Sequence, residues 1–221
     1  MYAVPVKTLL EAGTHFGHRA SRWNPKMAPY IFGKRNLIHI IDLKQTLRGL
    51  LKACMFLQEV AAQGQQILFV GTKRQAQSVV STECEKLGIP FVAERWLGGT
   101  LTNFGVIRSR LRRLEELEAM ETDGSQATLS KKEIATITRE KRKMHRNLHG
   151  MRKMNGLPGA MVVVDPRKEK TAVKEAKKTG VPIIAILDTD CDPDMIDIPI
   201  PGNDDALRSI QVLLAKVSEA I

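Results

Sequence analysis

A chain of 221 residues with 34 Lys and Arg against 24 Asp and Glu carries a formal net charge of +10, enough length for a real core and enough positive charge to favour a polyanionic partner. Hydrophobic residues at 43% and charged residues at 26% are ordinary for a soluble globular protein, and the absence of a long apolar run excludes a membrane-spanning helix. Cys54, Cys84 and Cys191 lie far apart with no CxxC spacing, which excludes a disulfide framework and points to free thiols in a reducing compartment, the cytoplasm by default.

The N-terminus, Met1-Tyr2-Ala3-Val4-Pro5, reads as neither a signal nor a transit peptide. Residues 6–12 then predict a short helix ended by Gly13. Residues 14–26 are rich in Gly, Pro and basic side chains, Arg19, Arg22 and Lys26 among them, and read as an irregular loop. Residues 30–33 and 37–41 predict strands separated by the basic turn Lys34-Arg35-Asn36. Residues 43–62 have helical apolar spacing through Leu47, Leu50, Leu51, Cys54, Leu57 and Val60. A strand over 66–70 ends at Gly71-Thr72-Lys73-Arg74, and a helix over 75–87 is closed by Gly88. This strand–helix–strand rhythm predicts an α/β fold, a parallel sheet with helices on both faces.

The rhythm stops after the apolar run at 89–93. The loop Arg95-Trp96-Leu97-Gly98-Gly99-Thr100-Leu101-Thr102-Asn103-Phe104 leads into the basic stretch Arg108-Ser109-Arg110-Leu111-Arg112-Arg113, with Thr102 or Asn103 placed to cap a helix. Ile107, Leu111, Leu114 and Leu117 share one helical face before a break at Thr122-Asp123-Gly124-Ser125. Ile134, Ile137, Met144, Leu148 and Met151 form the seam of a second helix, with Lys141 in an expected apolar slot. The spacing predicts an antiparallel coiled-coil hairpin over 105–154, inserted into an α/β domain made of 1–104 and 155–221. Beyond it come a turn at 155–159, a strand at 160–164 ending at Asp165-Pro166, a helix at 169–179 and a strand at 181–187 ending at Asp188. An acidic, Pro-punctuated stretch at 190–200 and a closing helix at 204–220 complete the chain.

Charge is unevenly placed. Residues 1–48 hold 8 basic and 2 acidic side chains, and residues 108–153 hold 13 and 7, a net of +6 in each; residues 154–221 come to −3. Two separate positive segments suit a docking surface for nucleic acid. Trp23 beside Arg22 and Trp96 beside Arg95 would either stack on RNA or brace the loops that hold those arginines. A membrane-surface role lacks the amphipathic aromatic face such helices need.

An enzyme reading centres on the carboxyl ends of the strands, where Lys73, Asp165 and Asp188 would have to converge in an open cleft. It lacks a Walker loop, a GxGxxG and a spaced nucleophile–base pair. Asp188, Asp190, Asp204 and Asp205 have the oxygen chemistry for a structural Mg²⁺, but turn and helix-cap roles suit them better. His15 and His18 have the spacing of half a zinc site, but no second half is nearby, and phosphate contact or local packing suits a histidine pair in a basic loop better.

Gly13-Thr14-His15-Phe16-Gly17-His18 and Arg22-Trp23-Asn24-Pro25-Lys26-Met27 resemble the opening motifs of the bacterial ribosomal protein S-two family. Ile38-His39-Ile40-Ile41-Asp42-Leu43, Phe69-Val70-Gly71-Thr72-Lys73-Arg74-Gln75-Ala76 and Arg95-Trp96-Leu97-Gly98-Gly99-Thr100-Leu101-Thr102-Asn103 are similar to its next three. Leu157-Pro158 with Val163-Val164-Asp165-Pro166, and Ile200-Pro201-Gly202-Asn203-Asp204-Asp205-Ala206, complete the set in order. The resemblance implies a flavodoxin-like parallel sheet flanked by helices with a protruding coiled-coil hairpin. It implies a non-enzymatic component of the small ribosomal subunit that binds 16S rRNA near the head–body junction, touches neighbouring ribosomal proteins and helps recruit the mRNA-binding protein S-one. The residues expected at RNA are Arg19, Arg22, Trp23, Lys26, Lys73, Arg74, Arg95, Trp96, Arg108, Arg112, Arg139, Arg142 and Arg146. His149-Gly150 stands where the family often has two glycines, and Asp190 where an Asn is more usual.

Overall fold

A computed structural model describes residues 4–123 and 130–221. Helix α1 (Val6–Glu11) ends at Gly13, whose φ of 74° is the left-handed conformation that glycine adopts freely. A small antiparallel sheet follows, with β1 (Phe16–Arg19), β2 (Ile31–Arg35) and β3 (Ile38–Ile41) in the order β1-β3-β2. Two expectations are corrected here. Residues 14–26 are not irregular throughout, since β1 pairs Phe16 with Ile40 and Arg19 with Ile38, and a 3-10 helix begins at Pro25. The hairpin turn is Asn36-Leu37, both at positive φ (48° and 63°), so Lys34 and Arg35 belong to β2.

The main sheet is parallel and contains β4 (Ile67–Val70), β5 (Phe91–Val92), β6 (Ala160–Val164), β7 (Ile183–Leu187) and β8 (Ile198–Pro201), in the order β5-β4-β6-β7-β8. Numbered within the sheet, that is the flavodoxin-like order 2-1-3-4-5. Residues of β4, β6 and β7 are buried throughout, which is why they read as unbroken apolar runs. Strand β8 was not expected, because Pro199 and Pro201 mask it. It takes the edge of the sheet beside β7, where proline's missing donor is tolerated.

Helices α2 (Leu43–Ala62), α3 (Arg74–Leu87) and α7 (Leu207–Ser218) cover one face of the sheet, through Leu50, Leu57, Val80, Ile210 and Leu213. Asp42 caps α2 by accepting from Lys44 N, and Gly88 ends α3 at φ 68°. The opposite face is covered by α6 (Lys170–Thr179) and by the base of two long helices, α4 (Phe104–Thr122) and α5 (Lys131–Leu148). Asn203, not Asp204 or Asp205, organises the start of α7, accepting from Asp205 N at 2.8 Å and Ala206 N at 2.9 Å.

Helices α4 and α5 pack on each other as the seam requires. Ile107, Leu111, Leu114 and Leu117 are buried on α4, and Leu148 on α5, while Ile134, Ile137 and Met144 are half-buried. Lys141, the irregular seam position, pairs with Glu121 of α4, and Arg152 pairs with Glu118. Ser130 and Glu133 form a reciprocal capping box at the start of α5. Gly124 and Ser125, part of the expected break, lie outside the described residues. Ile107, Leu111, Leu114, Met151 and Met154 join Leu68, Val70 and Val163 of the sheet in one cluster, so the base of the hairpin is continuous with the core.

Candidate nucleic-acid interface

The loop after β5 owes its shape to one acidic side chain. Trp96 is buried and donates its indole N–H to Glu175 Oε1 at 3.1 Å. Gly99 N reaches the same oxygen at 2.8 Å, while Leu101 N (3.0 Å), Thr102 N (3.3 Å) and Thr102 Oγ1 (3.2 Å) reach Oε2. Burial pushes the Glu175 carboxyl up, but these donors outweigh it and hold it below the usual carboxylate range. Gly99, at φ 90°, makes the bend that turns successive N–H groups inward. Asn103 stands at the N-cap of α4 without a side-chain cap bond, and Thr102 is spent on Glu175.

Held in this way, the loop presents Arg95 outward. Arg95 lines a 580 Å³ groove together with Leu97 of the loop, Arg110 and Arg113 of α4, and Glu140, Lys143 and Met144 of α5. Arg113 lies 3.2 Å from Glu116 and 3.8 Å from Glu140. Arg95, Arg110 and Lys143 have no ion pair among the described residues. Sequence reasoning selected Arg95 but missed Arg110, Arg113 and Lys143. The spacing of Arg110 and Arg113 beside the buried Leu111 and Leu114 would have placed them together on one flank of α4.

Arg139, Arg142 and Arg146 are exposed, spaced three and four apart along one stripe of α5. Arg112 is exposed on α4, but Arg108 is half-buried and donates to Met154 O at 3.0 Å, bracing the foot of the hairpin. Arg74 is exposed at the start of α3. In the N-terminal part Arg19 and Arg22 are exposed, and Trp23 is half-buried against His39, ring centroids 4.9 Å apart. Lys26 is held by Asp192 at 2.9 Å and Asp194 at 2.5 Å. The buried Trp96 is left with the bracing role of the two considered for it.

Lys73 is committed elsewhere. Its ammonium lies 2.6 Å from Asp204 Oδ1, 2.7 Å from Asp205 Oδ1 and 3.4 Å from Asp165 Oδ2. Burial alone would lower its pKa, yet these carboxylates raise it above the usual lysine range. His18 Nδ1 sits 2.9 Å from Asp188 Oδ2, and that contact raises the imidazole pKa to about 9 against the opposing effect of burial. Burial, with Asp165 and Asp188 nearby, pushes the Asp204 carboxyl up to about 7 despite Lys73. Asp190 pairs with Arg167 and lies 3.8 Å from His18 Nε2.

The three residues of the enzyme reading therefore do gather at the point where the strand order reverses, but not in an open cleft. Asp188 and Asp204 are each 1% exposed, β1 lies across them with His18 N on Asp188 Oδ1 at 3.1 Å, and the cations Lys73, His18 and Arg167 balance much of the acidity. His18, Asp188 and Asp204 offer ligand atoms within 4.8 Å of one another, as do Asp165, Cys191 and Asp204. His15 is in neither group; its ring lies on Phe16, centroids 4.0 Å apart. Asp204 and Asp205 thus serve as partners of Lys73, correcting the helix-cap role expected for them.

The two departures from the family pattern have local explanations. A Cβ on Gly150 would come within 2.4 Å of Phe91 O, whereas His149 has an ordinary helical φ of −54° and sets its ring edge-on to Phe91 at 5.6 Å. Only the second position of the usual pair needs glycine here. Asp190 finds two cations, Arg167 and His18.

No helix among the described residues is long and apolar enough to cross a membrane. The family described as Ribosomal protein S2 matches residues 9–221. The chain is also similar to the small ribosomal subunit protein uS2 of Rhodopirellula baltica, 58% identical over 216 residues that span 98% of this chain and 83% of that protein. Matched along nearly all of its length, with the motif loops built into one fold, the chain belongs to the ribosomal protein S2 family.

Proposed function

We propose that this chain is a structural component of the small ribosomal subunit, where it binds 16S rRNA and helps recruit the mRNA-binding ribosomal protein S-one. The observation that carries the RNA reading is the set of exposed arginines Arg95 and Arg110 at the groove and Arg139, Arg142 and Arg146 along α5, which have no carboxylate partners among the described residues. Cations left unpaired by their own fold are the ones that release counterions when a phosphate backbone arrives. Recruitment of S-one draws support from the family and from the small sheet, where Phe32 is 80% exposed and Leu37 69% exposed on a hairpin that otherwise carries charge. Any Mg²⁺ at the Asp188–Asp204 cluster would be structural, since those groups are buried beneath β1.

The test is sedimentation of the full chain from a lysate at low and at high salt, with S-one followed in the same fractions. Co-migration with small subunits that weakens only at high salt is expected, with S-one present beside it. Migration as a free protein at low salt would remove the ribosomal reading. Small subunits that carry the chain but lack S-one would remove only the recruitment role.

A further inference from the structure

We infer that the groove between the Arg95 loop and the base of the hairpin is a pocket for one unstacked nucleotide of RNA, the base on Leu97 and Met144 and the phosphates on Arg95, Arg110 and Lys143. The inference rests on the rRNA-binding reading and deepens it by naming what that part of the surface takes.

Three features of the groove point the same way. Its rim is cationic, and Arg95, Arg110 and Lys143 have no ion pair among the described residues. Its floor is apolar, made by Leu97 of the loop and Met144 of α5 over the buried Leu148. Its 580 Å³ lies within the roughly 300–1,000 Å³ of pockets that enclose small organic ligands. An intact duplex turns phosphates and sugars outward, so it would use the rim and leave the floor empty. A free phosphate would need no apolar floor at all. A base taken out of its stack, still joined to its phosphates, uses both, and an arginine plane beside it adds a stacking surface.

The groove also carries a means of discrimination. Glu140 is an acceptor at its edge, 44% exposed at the side chain and only 3.8 Å from Arg113. A carboxylate accepts from a base that bears an exocyclic amine, as adenine, cytosine and guanine do, and finds no such donor on uracil.

The test uses the full chain and two RNA stems that differ only by a single-nucleotide bulge, with 2-aminopurine as the bulged base. The bulged stem should bind about tenfold more tightly than the perfect one, with the 2-aminopurine emission departing from that of the free RNA. Met144→Gln should bring the two affinities together. Glu140→Ala removes an acceptor from an exposed position and guards against a misfolded Met144 variant. It should remove the preference for a bulged adenine over a bulged uracil. Equal dissociation constants for the two stems with the unaltered chain would overturn the inference, as would a preference that survives Met144→Gln in a folded protein. Failure to bind either stem at low salt is a separate result, and would overturn the RNA reading beneath it.

Discussion

At Glu175 a single carboxylate satisfies three backbone N–H groups, an indole and a hydroxyl, all from a loop some 75 positions away in the chain. Glu175→Gln sets an amide NH₂ among donors and should cost about 2–4 kcal/mol of stability, read as a lower urea midpoint with an unchanged slope. An unaltered midpoint would mean the loop is held by something else. Because the carboxyl is held below its usual range, its contribution is present above the unfolded carboxylate pKa and is lost as pH falls through the lower folded value. His18 works in the opposite sense. Its raised pKa of about 9 gives stability that is full below the unfolded value near 6.5 and lost as pH rises through 9. Unfolding midpoints should therefore fall between these limits, and His18→Gln should flatten that part of the profile. A profile unchanged by the substitution would assign the slope to other groups. No local signal marked Glu175, since a lone glutamate on a basic helix looks like any solvated charge. The pairing of His18 with Asp188 was not visible, because its partners are about 170 positions ahead.

At the scale of the element, the helices were the most legible parts. The limits expected for α2 are those observed, since apolar period, an Asp cap and a closing polar turn agree with one another. The same period anticipated Lys141 as the flaw in the hairpin seam, and the structure shows its resolution as a pair with Glu121 across the two helices. Lys141→Leu should complete the seam and raise stability by about 1 kcal/mol, because Glu121 is exposed enough to stand alone. A thermal midpoint that falls would show that the ion pair outweighs the packing. Strands β1 and β8 were hidden for different reasons. In β1 a glycine, a histidine and an arginine give no apolar alternation, so only pairing with β3 makes it a strand. In β8 the prolines speak against a strand, and edge position makes them harmless. Gly49 lies in the middle of α2. A Cβ there would come within 2.2 Å of Pro199 O, so the residue is what lets α2 lie close against β8.

For the whole molecule, the parallel sheet delivers its loops to one edge, where they are put to two uses. The end of β5 leads into the Arg95 loop and the hairpin. The ends of β4, β6 and β7 bring Lys73, Asp165 and Asp188 together into a cluster that the small sheet covers. The location where an α/β enzyme would bind its ligand is here used to fasten the N-terminal segment. That division explains how far the interface was legible. Exposed arginines on a periodic helix could be chosen by spacing, whereas Lys73 looked equally basic in the sequence and is neutralised only by residues far ahead of it. Arg142 is exposed on the α5 stripe, so Arg142→Ala should lower the dependence of rRNA affinity on salt by about 1 in log–log slope. The same slope with weaker binding would indicate altered packing instead of a lost phosphate contact.

The fastening of β1 also dictates an order of events during synthesis. His18 N reaches Asp188 and Thr189 at 3.1 Å and 2.9 Å, and Thr14 O, just before β1, accepts from Asn203 N at 3.0 Å. The basic N-terminal segment is translated first but can dock only when the last two strands have emerged. Contacts of such high sequence separation form late and slow the final folding step. For most of its time on the nascent chain the segment is thus an undocked cationic arm, with Met27, buried in the folded chain, still uncovered. Pulse-labelled protease protection on stalled chains would show it closing only after residue 203 has left the exit tunnel.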